Sequence, residues 1–178
     1  ESCFHLFEDQ LRQWVVGRRE PRAGSSQLHA PCSIVAIGET GLDFWYKHVR
    51  RDEDKKREQR VVFERHLDLA KRHDLPIVIH SRGAWRECLE MTVASGVKKA
   101  DFHWYSGPLD ILKGILDAGF VISVTPALAY SEELKAAARL APLEQILVET
   151  DTPVRGWTPK DVQTTVTLLA EVKGLPRE

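Results

Sequence analysis

Cysteine is scarce in this chain, and the three that occur, Cys3, Cys32 and Cys88, are widely spaced and form no C-x-x-C pair. An odd number of scattered thiols is typical of a reducing compartment rather than of a disulfide framework, so we expect a cytoplasmic protein. No apolar run approaches the roughly 20 residues that a membrane-spanning helix needs, and no signal-peptide pattern opens the sequence. The sequence therefore predicts neither a secreted disulfide scaffold nor a membrane protein.

The chain also lacks an excess of either charge. It carries 25 Lys and Arg against 26 Asp and Glu, for a formal net charge of -1. Any nucleic-acid partner must therefore be held by a local basic patch. Of the 178 residues, 43% are hydrophobic and 29% are charged, which is an ordinary globular composition with enough apolar residues for one core. We see no internal repeat and no second-domain boundary, so we expect residues 1–178 to form a single domain.

Four short apolar runs each end in a residue that can bind a metal ion. Buried parallel strands are typically continuous in Val, Ile and Leu, and a helix-like segment follows each of these runs. This order predicts βα units, a parallel sheet and, with a further strand at residues 120–124, five strands in all. Chemistry in such sheets lies at the carboxyl ends of the strands, so one rim should carry all four terminal residues. These are Glu39, His80, His103 and Asp151.

Each of these residues has an ordinary structural explanation when taken alone. A histidine at a strand end is often only a hydrogen-bonded structural residue, Glu39 could be a turn carboxylate, and Asp151 could cap the next turn. Their repetition at equivalent strand ends favours metal ligation, since mixed imidazole and carboxylate donors suit Zn²⁺, Mn²⁺ or Mg²⁺. A site of this kind can keep a water molecule that becomes a nucleophile near neutral pH.

Four motifs resemble, in order and spacing, those of the TatD family of metal-dependent deoxyribonucleases. They are GETGLD at residues 38–43, LPIVIHSR at 75–82, HWYSG at 103–107 and ETDTP at 149–153. The match extends from about residue 33 to residue 158. The resemblance implies an α/β fold, the (β/α)₈ TIM barrel of the amidohydrolase superfamily. Members of the TatD family usually hold two divalent ions and hydrolyse DNA phosphodiester bonds.

The resemblance also implies a role for each matching residue. Glu39 corresponds to the bridging carboxylate, and His80 and His103 correspond to ligands of one metal ion. Asp151 corresponds to the strand-8 carboxylate, which binds the other ion and can take a proton from the attacking water. By position, Arg82 is expected to touch a substrate phosphate. We therefore expect Asp151 and Glu39 to be the catalytic residues.

The chain departs from the family pattern at its beginning. The family's first strand carries a His-x-His-Leu-Asp motif, whereas residues 3–8 (CFHLFE) contain one histidine, so one metal lacks its two imidazoles. Trp104 and Tyr105 replace the usual Cys-Phe after His103, and we expect these rings to pack rather than to stack on a base. The motifs match barrel strands four to eight, and a complete barrel takes about 250 residues. We therefore expect an incomplete, N-terminally truncated barrel, with roughly 60 to 80 residues belonging before Glu1.

Three functions stay open at this point. The chain is a metal-dependent nuclease with DNA as its partner, a deacylase or amidohydrolase acting on an amide or ester, or a non-catalytic remnant that acts as a binding protein. Basic residues near the rim favour the nuclease, because a phosphodiester needs cations to hold it, whereas a neutral rim favours the deacylase. The candidate cations are Lys47, Arg50, Arg51 and Arg82. No membrane and no protein partner is indicated.

Overall fold

A computed structural model describes residues 34–176 of the chain. Five parallel strands form one sheet whose spatial order follows the chain, so each strand pairs with the next. This order, with a helix after each strand, is that of an α/β barrel that stays open over the described residues. The strands are β1 (Ile37–Asp43), β2 (Ile77–Arg82), β3 (Ala100–Phe102), β4 (Val121–Val124) and β5 (Ile146–Val148).

Within residues 34–176, six α-helices connect or follow the strands. They are α1 (Lys47–Arg50), α2 (Glu53–His73), α3 (Trp85–Ser95), α4 (Leu109–Asp117), α5 (Glu132–Leu140) and α6 (Val162–Lys173). Short 3₁₀ turns lie at Pro126–Ala129, Leu143–Gln145, Val154–Gly156 and Pro159–Asp161. Among the described helices, none combines the length and the apolar character needed to cross a membrane.

Local side-chain chemistry sets the helix ends. The Asp52 carboxylate accepts hydrogen bonds from the backbone N–H groups of Asp54 and Lys55 and so caps α2. The Ser131 hydroxyl accepts one from the N–H of Leu134 and caps the start of α5. Thr158 and Asp161 form a capping box before α6, and Gly96 ends α3 in the left-handed conformation. The ends of these helices are therefore set by residues within three or four positions.

The hydrophobic core lies between the helices and one face of the sheet. Alternate strand residues point to opposite faces, and those on the helix side are fully or almost fully buried. They include Ile77, Ile79, Phe102, Ile122 and Val124, which pack against Phe63, Leu67, Leu112, Ile115 and Leu134. The other face carries the polar residues that follow below, so the same strands build the core and position the site.

The first strand differs from its prediction. The sequence predicts that this strand ends at Glu39, but β1 continues to Asp43, and its register against β2 shifts between Ile37 and Thr40. Glycine is required here, since a Cβ on Gly41 would lie 2.0 Å from the backbone oxygen of His80. Glu39 therefore sits at an irregularity inside the strand rather than at its end.

Several sequence predictions lie outside the described residues. Cys3, Cys32 and the segment 3–8 that was compared with the family's first motif belong to this group. The expectation of one domain over residues 1–178 stays a prediction.

Candidate metal centre

Glu39, His80 and His103 meet at the carboxyl rim of the sheet. Glu39 Oε1 lies 2.8 Å from His80 Nδ1 and 3.5 Å from His103 Nε2. Each of the three residues offers a donor atom, and these atoms all lie within 4.8 Å of one another. Two imidazoles and one carboxylate form a donor set that suits Zn²⁺ or Mn²⁺. The residues present therefore fit a divalent cation.

Asp151 approaches the same group from the end of β5. Its Oδ1 lies 3.9 Å from His103 Nε2, and a second set of donors within 4.8 Å consists of His103, Glu149 and Asp151. The structure thus brings all four sequence-predicted ligands to one rim, with His103 at the centre. Asp151 and Trp104 have φ values of 52° and 42°, a region that non-glycine residues occupy rarely and mostly where function or packing imposes it.

Glu149 holds the ring of His103. Its Oε1 lies 2.7 Å from His103 Nδ1 and accepts further hydrogen bonds from the Trp104 N–H, at 3.2 Å, and from the Ser123 hydroxyl. A carboxylate oxygen can only accept, so Nδ1 is the donor and Nε2 is turned toward Glu39 and Asp151. The family resemblance gives Glu149 no role. Its position directly after an apolar strand and two residues before Asp151 is the sequence feature that could have indicated a site residue.

His80 is held between two carboxylates. Its Nδ1 faces Glu39, and its Nε2 lies 3.1 Å from Oδ2 of Asp43. Asp43 in turn accepts hydrogen bonds from Arg82 Nε and Nη2 at 3.0 and 2.7 Å, and the Arg82 guanidinium lies 4.7 Å from the Tyr46 ring. The family resemblance assigns Arg82 to a substrate phosphate and gives Asp43 no role. A phosphate that binds Arg82 must therefore compete with the Asp43 carboxylate.

The charges of the centre shift the pKa of its members. Burial acts to lower the pKa of His103, but Glu149, Glu39 and Asp151 outweigh it and raise the value to about 9. The hydrogen bond with His80 holds the pKa of Glu39 below its usual range. Burial raises the pKa of Asp151, and the negative charges of Glu149 and Glu39 act in the same direction. Carboxylates thus crowd around His103, an arrangement that attracts cations.

Asp101 lies deeper on the same face, two residues before His103. Burial raises its pKa to about 7, and the charge of Glu149 acts in the same direction. Its Oδ1 is buried and has no hydrogen-bond partner among the described residues. The sequence feature that could have indicated Asp101 as a site residue is an acidic residue in the middle of a short buried strand.

The rings that follow His103 pack, as expected. Tyr105 is 1% exposed, and its hydroxyl donates to the backbone oxygen of Pro108 at 2.7 Å. Trp104 is half-buried, with its ring centroid 5.6 Å from that of Trp157 and 6.5 Å from that of His103. The candidate cations Lys47, Arg50 and Arg51 are exposed in and just after α1, which follows the carboxyl end of β1.

Comparisons with known proteins agree with this architecture. The human protein named deoxyribonuclease TATDN3 is 32% identical over 151 residues, covering 82% of this chain and 55% of the relative. A Mycobacterium tuberculosis protein named uncharacterized metal-dependent hydrolase TatD is 36% identical over 135 residues, covering 74% and 51%. The chain thus spans about half the length of the curated relatives it matches.

The fold is shared with a solved structure, that of the TatD homologue YjjV from Escherichia coli. The TM-score is 0.79 at 23% identity, and the alignment covers 97% of this chain and 64% of the other. This similarity confirms the predicted fold class, an α/β barrel of which residues 34–176 form five strands. The family model described as TatD related DNase matches residues 24–178, and the chain therefore belongs to the TatD-related DNase family.

Proposed function

We propose that this protein is a metal-dependent hydrolase that cleaves DNA phosphodiester bonds. The observation that carries the proposal is the convergence of Glu39, His80, His103 and Asp151 at one rim, around Nε2 of His103. Membership of a family described as TatD related DNase supports DNA as the substrate. Asp151 and Glu39 are the proposed catalytic residues.

The donor atoms support a divalent ion at this rim. Glu39, His80 and His103 would hold one ion, and Asp151, whose Oδ1 lies 3.9 Å from His103 Nε2, would contribute to the second ion that the family pattern implies. Zn²⁺, Mg²⁺ and Mn²⁺ all accept such ligands. When bound, the metal supplies Lewis acidity, which lowers the pKa of water and polarises a phosphoryl oxygen.

The side chains supply the proton acceptor and the orientation. Asp151 Oδ1 faces the centre, 3.9 Å from His103 Nε2, where its carboxylate can accept a proton from water. Glu149 orients the ring of His103 through Nδ1, so that Nε2 faces the rim, where it would bind the metal once deprotonated. Arg82 and the cations in and after α1 lie where a phosphodiester would enter. A basic and aromatic rim favours this substrate over a neutral amide or ester.

Chelation and one substitution test the function. Cleavage of a DNA oligonucleotide should require a divalent cation and disappear in excess chelator. Asp151→Asn should lower kcat on the order of 10² to 10⁴-fold, because it removes a proton acceptor and a negative charge. Asp117→Asn is the matched control and should leave kcat unchanged. Asp117 is exposed at the end of α4, near the amino ends of the strands and away from the carboxyl rim.

Two results would contradict the proposal. Undiminished cleavage in excess chelator would exclude metal-dependent hydrolysis. An Asp151→Asn variant with wild-type kcat would remove Asp151 from the mechanism.

We also propose a cytoplasmic location. Cys88 is buried and free, and burial raises the pKa of its thiol to about 12, so it is a structural and unreactive residue. A free structural thiol is typical of proteins in a reducing compartment. Imaging of the tagged protein tests this location.

A further inference from the structure

A second arginine and tyrosine pair flanks the metal centre on the side of β4 and β5. The Arg155 guanidinium lies 5.1 Å from the centre of the Tyr130 ring. Tyr130 follows the 3₁₀ turn after β4 and is 52% exposed, and Arg155 is exposed four residues after Asp151. Both residues therefore lie at the carboxyl rim that carries the metal ligands.

The loop that presents Arg155 is tied to the centre. The Val154 N–H donates to the backbone oxygen of Asp151 at 2.8 Å, and the Trp157 N–H donates to that of Val154 at 3.1 Å. The Trp157 ring packs on Trp104, the residue after His103. Arg155 itself has a φ of 55°. The position of its backbone is thus set by the elements that position Asp151 and His103.

The guanidinium groups of Arg155 and Arg82 differ in their contacts. Arg82 donates two hydrogen bonds to Asp43, so its charge is already matched. Within residues 34–176, Arg155 has the Tyr130 ring as its contact and no carboxylate in ion-pair range. A cation–π contact orders the guanidinium without using its N–H donors. No residue among those described accepts a hydrogen bond from these five donors, and a planar guanidinium suits a phosphate in two-point contact.

We propose that Arg155, ordered by Tyr130, binds a backbone phosphate of the nucleic-acid strand beside the metal centre. This subsite rests on the proposed function, since it assigns a position to the same substrate. It lies on the β4–β5 side, opposite the Arg82 and Tyr46 pair, so the strand would be held on both sides of the proposed site of cleavage. Tyr130 is a positioning residue that acts through Arg155.

Binding without cleavage tests the subsite. A fluorescein-labelled single-stranded DNA oligonucleotide is titrated with protein in excess chelator at several salt concentrations. Arg155→Ala should weaken binding on the order of tenfold and reduce the slope of log K against log salt by about 0.7, the share of one phosphate contact. Arg155→Lys should restore the slope but only part of the affinity, because an ammonium cannot make the two-point contact.

Two tyrosine variants and a charge-matched control sharpen the test. Tyr130→Phe keeps the ring and should bind as wild type, whereas Tyr130→Ala should weaken binding while keeping the salt slope. Lys98→Ala removes an exposed charge at the amino end of β3, away from the rim, and should change neither affinity nor slope. In cleavage assays with metal, Arg155→Ala should raise KM more than it lowers kcat.

The outcomes separate this inference from the proposed function. An unchanged salt slope in Arg155→Ala, in protein that still cleaves DNA, overturns the subsite alone. A reduced salt slope in Arg155→Ala, when the wild-type protein cleaves no DNA with any divalent cation, supports the phosphate subsite and contradicts the proposed nuclease activity. Arg155-dependent binding of inorganic phosphate, with no Arg155-dependent binding of the oligonucleotide, overturns the subsite as a strand contact.

Discussion

Replacing Glu149 by glutamine should weaken metal binding, although Glu149 contacts the proposed ligand His103 and is not itself proposed to bind the metal. Three donors converge on its Oε1: His103 Nδ1 at 2.7 Å, the Trp104 N–H at 3.2 Å and the Ser123 hydroxyl. Glutamine keeps an oxygen at this position but removes the charge. The pKa of His103, which the carboxylates raise to about 9, should therefore fall. His103 should also become a weaker and less ordered donor to the metal.

The magnitude follows from the kind of contact. Changes to groups that orient a ligating histidine typically reduce metal affinity by about 10- to 100-fold, or about 1.4 to 2.8 kcal/mol at about 1.4 kcal/mol per factor of ten. Alanine should act differently, because it leaves all three donors without their acceptor. At about 1 kcal/mol or more for each unpaired donor, Glu149→Ala should lower the free energy of unfolding by about 3 kcal/mol or more.

Calorimetric titration with Zn²⁺ or Mn²⁺ measures the affinity, and urea unfolding measures the stability. The matched control is Glu144→Gln, an exposed glutamate before β5 at the opposite end of the same strand, which should change neither quantity. Two results would contradict the proposed role of Glu149 in supporting His103. Unchanged metal affinity in Glu149→Gln would show that Glu149 does not support the ligand. Complete loss of binding, as expected for Glu39→Gln, would show that Glu149 is itself a ligand.

Two further predictions concern stability. Burial lowers the pKa of His66, whose Nδ1 lies 2.7 Å from the Thr40 hydroxyl, so the unfolded state takes up the proton first as the pH falls. Relative to His66→Gln, wild-type stability should be constant above about pH 6.5 and fall below it by at most about 1.4 kcal/mol per pH unit, as measured by urea unfolding; a difference that grows above that pH would contradict this. Phe102 is 0% exposed and its ring centroid lies 6.2 Å from that of Phe120. Phe102→Ala should lower the free energy of unfolding by about 3 to 5 kcal/mol, and a loss below about 1 kcal/mol would show that β3 is not packed as described.

The elements of the fold were predictable where local patterns are strong. Apolar runs predicted β2 and β5. The caps at Ser131 and Thr158 are equally local, because a cap depends on contacts within three or four residues. The prediction failed at β1, where a polar segment rich in glycine continues the strand. Its strand character depends on how closely β2 approaches, which is a tertiary property.

Several site residues were not predictable for a similar reason. Asp43 gains its role from contacts with His80 and Arg82, which are 37 and 39 residues away in the chain. Glu149 gains its role from His103, at a separation of 46 residues. Such pairings depend on strand register and on the side-chain rotamer, and neither is encoded in a local pattern.

The apolar runs and their spacing are enough to predict which residues share the rim. Parallel strands joined by helices bring their carboxyl ends to one rim, so a ligand at the end of each apolar run must meet the others there. The role of each side chain at that rim depends on the three-dimensional packing. This packing turned His103 Nε2 toward the centre through Glu149, paired Arg82 with Asp43 and ordered Arg155 on the Tyr130 ring. These choices depend on distances of a few ångströms between strands and loops, which spacing along a chain does not specify.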